Sequence, residues 1–510
     1  MTMSVVLEGD PDPVALPRTG WARPWGPVVT AAALFAALCA LALSKGSQLL
    51  EPDDLAYRAS ITALLHGRLW LTNAQYLALS RQLSGTSAGG LGGIAQWVHR
   101  ADGTWISEKN PGYPFYAVAF ARLGLLRLAP LFYGAFAAVA LYLGGRRWLG
   151  RWGGTVVVAL FCTSGAAMVF AWRATMPSFT DASMVAAGCG LLLWAVLAGE
   201  HAARRRIVVG LAAFFAFDSA MFIRYTDVVA VLCASGTVAA LWLLARSVLP
   251  RAAAATWLGS QVLFATFLAS VNTYLYGHPF STGYANGEIT FSVGALHGNL
   301  DVMPRNLIVT MPMIVLAAAG VVWIAVRAAA GGRNNPDSTA RRDLWVALAL
   351  ASVWIGTFGL YFFYDWTASM QADGPAGGIW GNVHLIRFYL PAIGPVALLG
   401  AWPLIRVPKA AALATVPALA LLGVVSFGSM ASAAVPGGSG PGCAPPGGIA
   451  AVPGGGGPSG QLPPGRLPSG QGPSAQLRPP SGPSGSAPAG AAPGVGGHGP
   501  APRAGCGTAG

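Results

Sequence analysis

Six short clusters of ionisable and aromatic residues in this 510-residue chain have the types and spacing for chemistry. The sharpest is Glu51-Pro52-Asp53-Asp54. Pro52 suits the first turn of a helix, which sets Asp53 and Asp54 at the positive end of its dipole. That helix runs through Tyr57, Leu64 and Leu65 to His66-Gly67. A capped helix whose acids merely face water explains the same residues, and both readings stay open here. The second cluster is Glu108-Lys109-Asn110-Pro111-Gly112-Tyr113-Pro114, where two prolines and a glycine force a non-helical entry into a short apolar helix. A lysine held there is a compact positive charge suited to a phosphate, or a snorkelling partner of Glu108.

Four further clusters follow. In Arg173-Ala-Thr-Met-Pro177-Ser-Phe-Thr-Asp181, Asp181 falls in the first turn of the next helix, where capping alone accounts for it. Arg224-Tyr225-Thr226-Asp227 is a tight turn whose Arg224 and Asp227 either pair with each other or meet a ligand. Tyr276-Gly-His278-Pro-Phe-Ser-Thr282-Gly-Tyr284 combines interfacial aromatics with Gly/Pro turns, and His278 and Tyr284 add a candidate sugar-binding surface. In Arg387-Phe388-Tyr389-Leu390-Pro391 an arginine enters an apolar run, placed to snorkel or to meet a lipid phosphate.

The elements that position these residues are set by composition. Hydrophobic residues make up 54% of the chain and charged residues only 10%, against about 25% charged in an ordinary soluble domain. A soluble enzyme of this length is excluded. Apolar runs at 26–45, 128–146, 153–172, 179–198, 206–221, 225–245, 253–276, 307–327, 343–364, 386–404 and 409–430 predict about eleven transmembrane helices in an all-α polytopic membrane protein. The first run is longer than a signal-peptide core and leads into a polar loop, so an uncleaved anchor is expected. Residues 112–126 are too short to cross and carry Arg122, which predicts an interfacial or re-entrant helix. No repeat of 20–50 residues is evident.

Charge sets the orientation. With residues 1–25 as a cytoplasmic N-terminal segment and eleven alternating spans, sixteen basic residues fall in cytoplasmic turns, including Arg146, Arg147, Arg151, Arg204, Arg205, Arg206, Arg341 and Arg342. Only six acids join them: Glu8, Asp10, Asp12, Glu200, Asp337 and Asp343. The net charge of +13 therefore reads as positive-inside loops in contact with a lipid bilayer, with no nucleic-acid partner. The other twelve acids land on the outer side or near its surface, five of them in a large first extracytoplasmic loop at 46–127 with juxtamembrane helices. Acids close to the bilayer are costly and mark function. Nucleotide sugars are absent outside the cytoplasm, so a group transfer there needs a donor delivered by the membrane.

Cys39, Cys162, Cys189 and Cys233 fall in apolar runs without metal-site spacing, and Cys443 and Cys506 lie in the tail. The spans form one domain, 26–434. Residues 435–510 contain no aromatic, acidic residue or lysine and repeat Pro-Ser-Gly units, a composition that predicts a disordered tail. Two origins stay open for it: a wall-spanning linker, or the frameshifted reading of a GC-rich gene.

Taken in order along this scaffold, the motifs resemble the C superfamily of membrane glycosyltransferases, which use polyprenyl-phosphate sugars. The resemblance is to the protein O-mannosyltransferase, aminoarabinose transferase and RgtA-like type, and it covers roughly residues 26–405. It rests on Asp53 and Asp54 after the first span, Lys109 to Pro114 opening a juxtamembrane helix, Met176 to Asp181, Tyr276 to Tyr284 and Arg387 to Pro391. The chain departs from the family pattern in reading Glu-Pro-Asp-Asp at the first motif, which leaves the matching aspartate open. It also carries a Gly/Ser-rich stretch at 83–93, either a flexible lid or an insertion.

The resemblance implies an inverting transfer of a sugar, at the outer face of the plasma membrane, from a polyprenyl-phosphate donor to an extracytoplasmic acceptor in a cell-envelope glycan, lipid or protein. Asp53 or Asp54 would be the general base, with Asp181 orienting the acceptor or a metal. Lys109, Arg387 and, as a third choice, Arg224 would neutralise the leaving lipid phosphate. Tyr57, Tyr113, His278 and Tyr284 are expected against the substrate. Some relatives hold a divalent metal near the carboxylates, a role Glu108 and His278 could take. A transporter or flippase of envelope lipids is the rival reading, with Asp218 inside a span as its best support; a non-catalytic membrane protein is another.

Overall fold

The computed structural model describes residues 25–46, 52–84, 96–100, 102–198, 203–244, 249–284, 289–331, 338–372 and 383–433. The N-terminal segment, Glu51, residues 85–93 of the Gly/Ser-rich stretch, Glu288, Asp373 and the tail at 435–510 lie outside the described residues. Helix α1 (Gly26–Ser44) leads into α2 (Pro52–Leu65), β1 (Trp70–Thr72), α3 (Asn73–Ser84), β2 (Trp97–His99), β3 (Thr104–Ser107) and the short α4 (Gly112–Arg122). The rest is helical: α5 (Ala129–Cys162), α6 (Gly165–Trp172), α7 (Ser178–Leu197), α8 (Ala203–Ile223), α9 (Val228–Leu244), α10 (Arg251–Tyr276) and α11 (Val293–Thr310). After these come α12 (Met313–Gly331), α13 (Ser338–Phe362), α14 (Asp365–Ala372), α15 (Val383–Ile386), α16 (Ile393–Leu404) and α17 (Lys409–Ala433).

Among the described residues nine helices are long and apolar enough to cross a membrane, so the chain is a multi-pass membrane protein. The difference from eleven has two physical sources. The runs at 128–146 and 153–172 belong mostly to α5, which turns back on itself at Gly150, where φ is +82° and ψ 176°, a region essentially confined to glycine. A Cβ on Gly145 would lie 3.1 Å from the Gly154 Cα, and one on Gly154 would lie 2.6 Å from the Tyr142 carbonyl oxygen. A continuous helix would separate Tyr142 from Gly154 by about 18 Å. The arms of α5 are therefore antiparallel, and the second breaks again at Thr163 before α6. The run at 386–404 becomes a 3₁₀ turn and α16, whose twelve residues are all buried. A helix apolar all round belongs inside a bundle.

Close helix contacts depend on small residues, as expected where lipid supplies little hydrophobic drive. A Cβ on Gly144 of α5 would stand 2.4 Å from the Gly190 carbonyl oxygen of α7. The main apolar core joins these two helices to α8 and α16 through Leu141, Phe161, Phe179, Val185, Phe217 and Leu398.

The large loop holds a feature that an all-α reading does not include, a small antiparallel sheet of order β1-β3-β2. It pairs Leu71 with Trp105 and Trp97 with Ser107. The turn at Asp102-Gly103, with Gly103 at φ +81°, is a strong hairpin signal between two short apolar-aromatic runs. The sheet and α2–α3 share a second core of Leu55, Ala56, Ala59, Ala63, Leu71, Tyr76 and Trp97. The opposite stripe of α2, Asp54, Tyr57 and Ile61, is buried too, and Tyr57 and Ile61 belong to the main core. Helix α2 is thus clamped between sheet and bundle, which fixes the direction of its first turn.

Candidate functional site

Asp53 stands in the first turn of α2. One carboxylate oxygen is 3.0 Å from Lys109 Nζ and the other 3.0 Å from Arg387 Nη2. All three side chains are nearly buried, with 13% exposure left to Asp53, 9% to Lys109 and 8% to Arg387. Two cations thus face one carboxylate. Burial pushes the Asp53 carboxyl up, but Lys109 and then Arg387 outweigh it and hold the group well below the usual carboxylate range.

Each partner is delivered by a different element. Lys109 follows β3, its backbone N–H donating to Ser107 Oγ at 3.0 Å. Its Nζ also donates to the Tyr284 hydroxyl at 3.0 Å and lies 5.1 Å from that ring's centroid. Tyr284 reaches it because Gly283 packs directly on the chain: a Cβ there would lie 2.3 Å from the Glu108 Cα. Arg387 precedes the turn into α16, its guanidinium 4.9 Å from the Phe388 ring centroid and 5.7 Å from that of Trp366. Such stacking suits a guanidinium's weak hydration.

Asp54, one residue on, has a different environment. It is fully buried and paired with the equally buried Arg173, and Thr175 Oγ1 donates to its second oxygen at 2.7 Å. Tyr113 closes the same region: its hydroxyl donates to the Ala174 carbonyl, and its ring meets Tyr57 edge-on at 5.8 Å. Burial pushes both hydroxyls above their ordinary range. Asp54, Arg173, Thr175 and Tyr113 fasten α2 and α4 to the turn between α6 and α7.

Asp181 forms a third layer. Arg224 Nη1 is 3.4 Å from its Oδ2, and the same guanidinium donates to the Arg387 main-chain oxygen at 3.1 Å and to Ser178 Oγ at 3.3 Å. Burial depresses the Arg224 guanidinium, but Asp181, Tyr361 and Asp227 reverse this and leave it above its ordinary value. Arg224 therefore pairs with Asp181 and joins that carboxylate to the backbone of Arg387.

The structure thus gathers Asp53, Lys109, Arg387 and Tyr284 into one cluster, with Tyr57 beside it. Asp54 and Tyr113 are placed behind it, and Asp181 and Arg224 beneath Arg387. His278 is exposed on the turn after α10, where its Nδ1 accepts from the Phe280 N–H at 3.3 Å. Among the described residues no three His, Cys, Asp or Glu side chains are grouped to hold a metal ion, Glu108 and His278 included.

Three contributors were not singled out as site residues from sequence. Arg173 could have been, because an arginine closing an apolar run needs a buried acid partner. Thr175 carries no such signal. Gln96 stands at φ +66°, a rare conformation for a side-chain-bearing residue. Its side chain hydrogen-bonds Asp53, while Oε1 is buried without a partner among the described residues.

Fold and site together define a multi-pass helical membrane protein with a buried, cation-rich carboxylate cluster where its large loop meets the bundle. No family model matches the chain, and no curated protein matches it. Among solved structures, the chain is similar to the Archaeoglobus fulgidus oligosaccharyltransferase. In the apo form that protein aligns with a TM-score of 0.49 and 12% identity, over 81% of this chain and 56% of that one. Its complex with Zn and sulfate gives 0.42 and 13%, over 80% and 54%. The form tethered to an acceptor peptide containing the NVT sequon gives 0.44 and 12%, over 82% and 57%. This chain therefore spans a little over half the length of that enzyme.

Proposed function

We propose that the protein is a membrane glycosyltransferase of the C superfamily. It would move a sugar from a polyprenyl-phosphate donor to an extracytoplasmic acceptor at the outer face of the plasma membrane. The observation that carries this reading is Asp53 held 3.0 Å from both Lys109 and Arg387 at the end of the bundle nearest the large loop. Two buried cations gathered on the Asp53 carboxylate suit a phosphate monoester or diester. The adjacent carboxylate suits proton abstraction from a hydroxyl.

The steps balance. The acceptor O–H gives its proton to Asp53 as its oxygen forms a bond to the anomeric carbon. The bond from that carbon to the phosphate oxygen breaks, and its electron pair leaves with the lipid phosphate. Lys109 and Arg387 neutralise the charge that develops there. Attack opposite the leaving group inverts the anomeric centre. In the resting protein the two cations make Asp53 a weak base. A donor phosphate that engages them weakens their hold on the carboxylate and raises its basicity, so proton abstraction becomes coupled to donor binding.

Within this reading Asp53 is the base. Asp54, with its oxygens engaged by Arg173 and Thr175, positions α2. Asp181 positions Arg387 through Arg224. Tyr57 and Tyr284 line the donor side, and a cleft bordered by Ser60, Ile106, Lys109, Pro114 and Tyr276 adjoins the phosphate site. The test is transfer from labelled polyprenyl-phosphate sugars by membranes carrying the protein. Wild type should form product and Asp53→Asn should not; equal transfer by both would overturn the assignment.

A further inference from the structure

Asp343 lies near the start of α13, and Tyr361, near its end, has its ring 5.1 Å from that of Phe388, over which Arg224 stands at 5.5 Å. The eighteen helical steps from one to the other rise about 27 Å, close to the roughly 30 Å of a bilayer's hydrocarbon core. The Asp343 region is therefore at the membrane face opposite the Asp53 cluster. It is also built with care. Asp343 is 1% exposed, and one of its oxygens accepts from Trp148 Nε1 at 2.9 Å, the other from Trp402 Nε1 at 3.1 Å. Arg342 Nη2 is 3.7 Å from the first oxygen and Arg406 Nη2 is 3.3 Å from the second. The Arg406 guanidinium carbon stands over the Trp402 ring, 3.6 Å from its centroid, and Arg406 Nη1 donates to that residue's carbonyl at 3.1 Å.

One sequestered carboxylate cannot neutralise this face. Among the described residues, the helix ends that meet here carry Arg327, Arg341, Arg342 and Arg406 against Asp343. Burial depresses the Arg406 guanidinium; Asp343 opposes that, and Arg327 and Arg342 add to it. Both Arg342 and Arg406 keep 27% of their side chains exposed, so their donors are not used up. Beside them Trp323 meets Trp402 edge-on at 5.4 Å, and Val322 and Val326 of α12 are 63% and 61% exposed. Trp402 is fully buried, but Trp323 is exposed, and an exposed indole at headgroup depth next to an apolar helix face forms an acyl-chain surface.

We propose that the adjoining ends of α12, α13 and α16 bind the phosphate of an anionic phospholipid headgroup through Arg342 and Arg406, with Arg327 contributing charge and the α12 face taking an acyl chain. Basic recesses between transmembrane helices on the face rich in arginine recognise such headgroups. The site does not depend on the sugar-transfer reading.

The test uses the purified full chain in neutral detergent. Phosphatidylglycerol, phosphatidylcholine or inorganic phosphate is added, with bound lipid read by native mass spectrometry and stability by the thermal midpoint. Wild type should retain phosphatidylglycerol and gain stability from it alone. Arg342→Gln should weaken retention about fivefold, and the double variant with Arg406→Gln should multiply that loss. Arg342→Lys should bind nearly as wild type, which separates loss of charge from loss of fold if the double variant does not accumulate. Equal retention of phosphatidylcholine, or unchanged retention in Arg342→Gln, overturns the proposal. A midpoint shift that inorganic phosphate reproduces in full overturns the lipid assignment.

Discussion

Asp53 and Asp54 are neighbours in sequence, yet their substitution should fail in different ways. Asp54 is fully buried and Arg173 is 2% exposed, so Asp54→Asn takes the Asp54 charge away from a guanidinium held inside the protein. Removing one partner of a buried ion pair costs about 3–5 kcal/mol, or about 10² to 10⁴ in the folding equilibrium. Thr175 also loses its charged acceptor. Asp53→Asn is milder, because Lys109 keeps Tyr284 and Arg387 keeps Phe388 and Trp366 as neighbours. Its amide oxygen can still accept a hydrogen bond, but it cannot take a proton, which removes about 10²- to 10⁴-fold of the transfer rate. The assay is fluorescence-detected gel filtration of detergent extracts across a heating series, paired with labelled-sugar transfer at matched protein amounts. Asp54→Asn should show a collapsed folded yield, and Asp53→Asn a near-normal yield without product. Replacing the pair together, Asp54→Leu with Arg173→Met, should recover much of the stability, since isosteric apolar pairs are often neutral. Normal thermal stability in Asp54→Asn, with product still formed by Asp53→Asn, would refute the division of roles.

Lys109→Gln and Arg387→Gln should each raise the donor concentration needed for half-maximal transfer about 10- to 100-fold, because each removes a charged hydrogen bond to phosphate; an unchanged requirement would remove them from the phosphate site. Gly283→Ala places a methyl 2.3 Å from the Glu108 Cα. Overpacking of this kind costs about 1–3 kcal/mol and should pull Tyr284 from Lys109, seen as weaker donor use together with a lowered thermal midpoint. Because the Asp53 carboxyl is depressed in the folded protein, its contribution to stability is fully present above the unfolded value of about 4 and is lost only as pH falls through the lower folded value. Denaturation curves of wild type and Asp53→Asn should therefore keep a constant offset from pH 5 to 8; an offset that closes within that window contradicts the ion pairing.

Composition and spacing alone determined that this is a multi-pass membrane protein, that most of its helices span, and that the short helix after Pro111 does not. Those properties follow from length and hydropathy, which are local. The members of the buried cluster were legible as well: Asp53, Lys109, Tyr284 and Arg387 were each named from their own surroundings. Their roles were not. Nothing in Glu51-Pro52-Asp53-Asp54 distinguishes the two aspartates until α2 is clamped between the sheet and the bundle, which turns Asp54 toward Arg173 and leaves Asp53 to Lys109 and Arg387. The hairpin of α5 depends on one glycine dihedral, and the burial of the twelve-residue α16 depends on the helices around it. Hydropathy reports how apolar a segment is. Which atoms face each other across 56 residues, as Asp53 and Lys109 do, or across 334, as Asp53 and Arg387 do, is decided only when packing brings distant segments together. A charge's partner then matters more than its place in the chain.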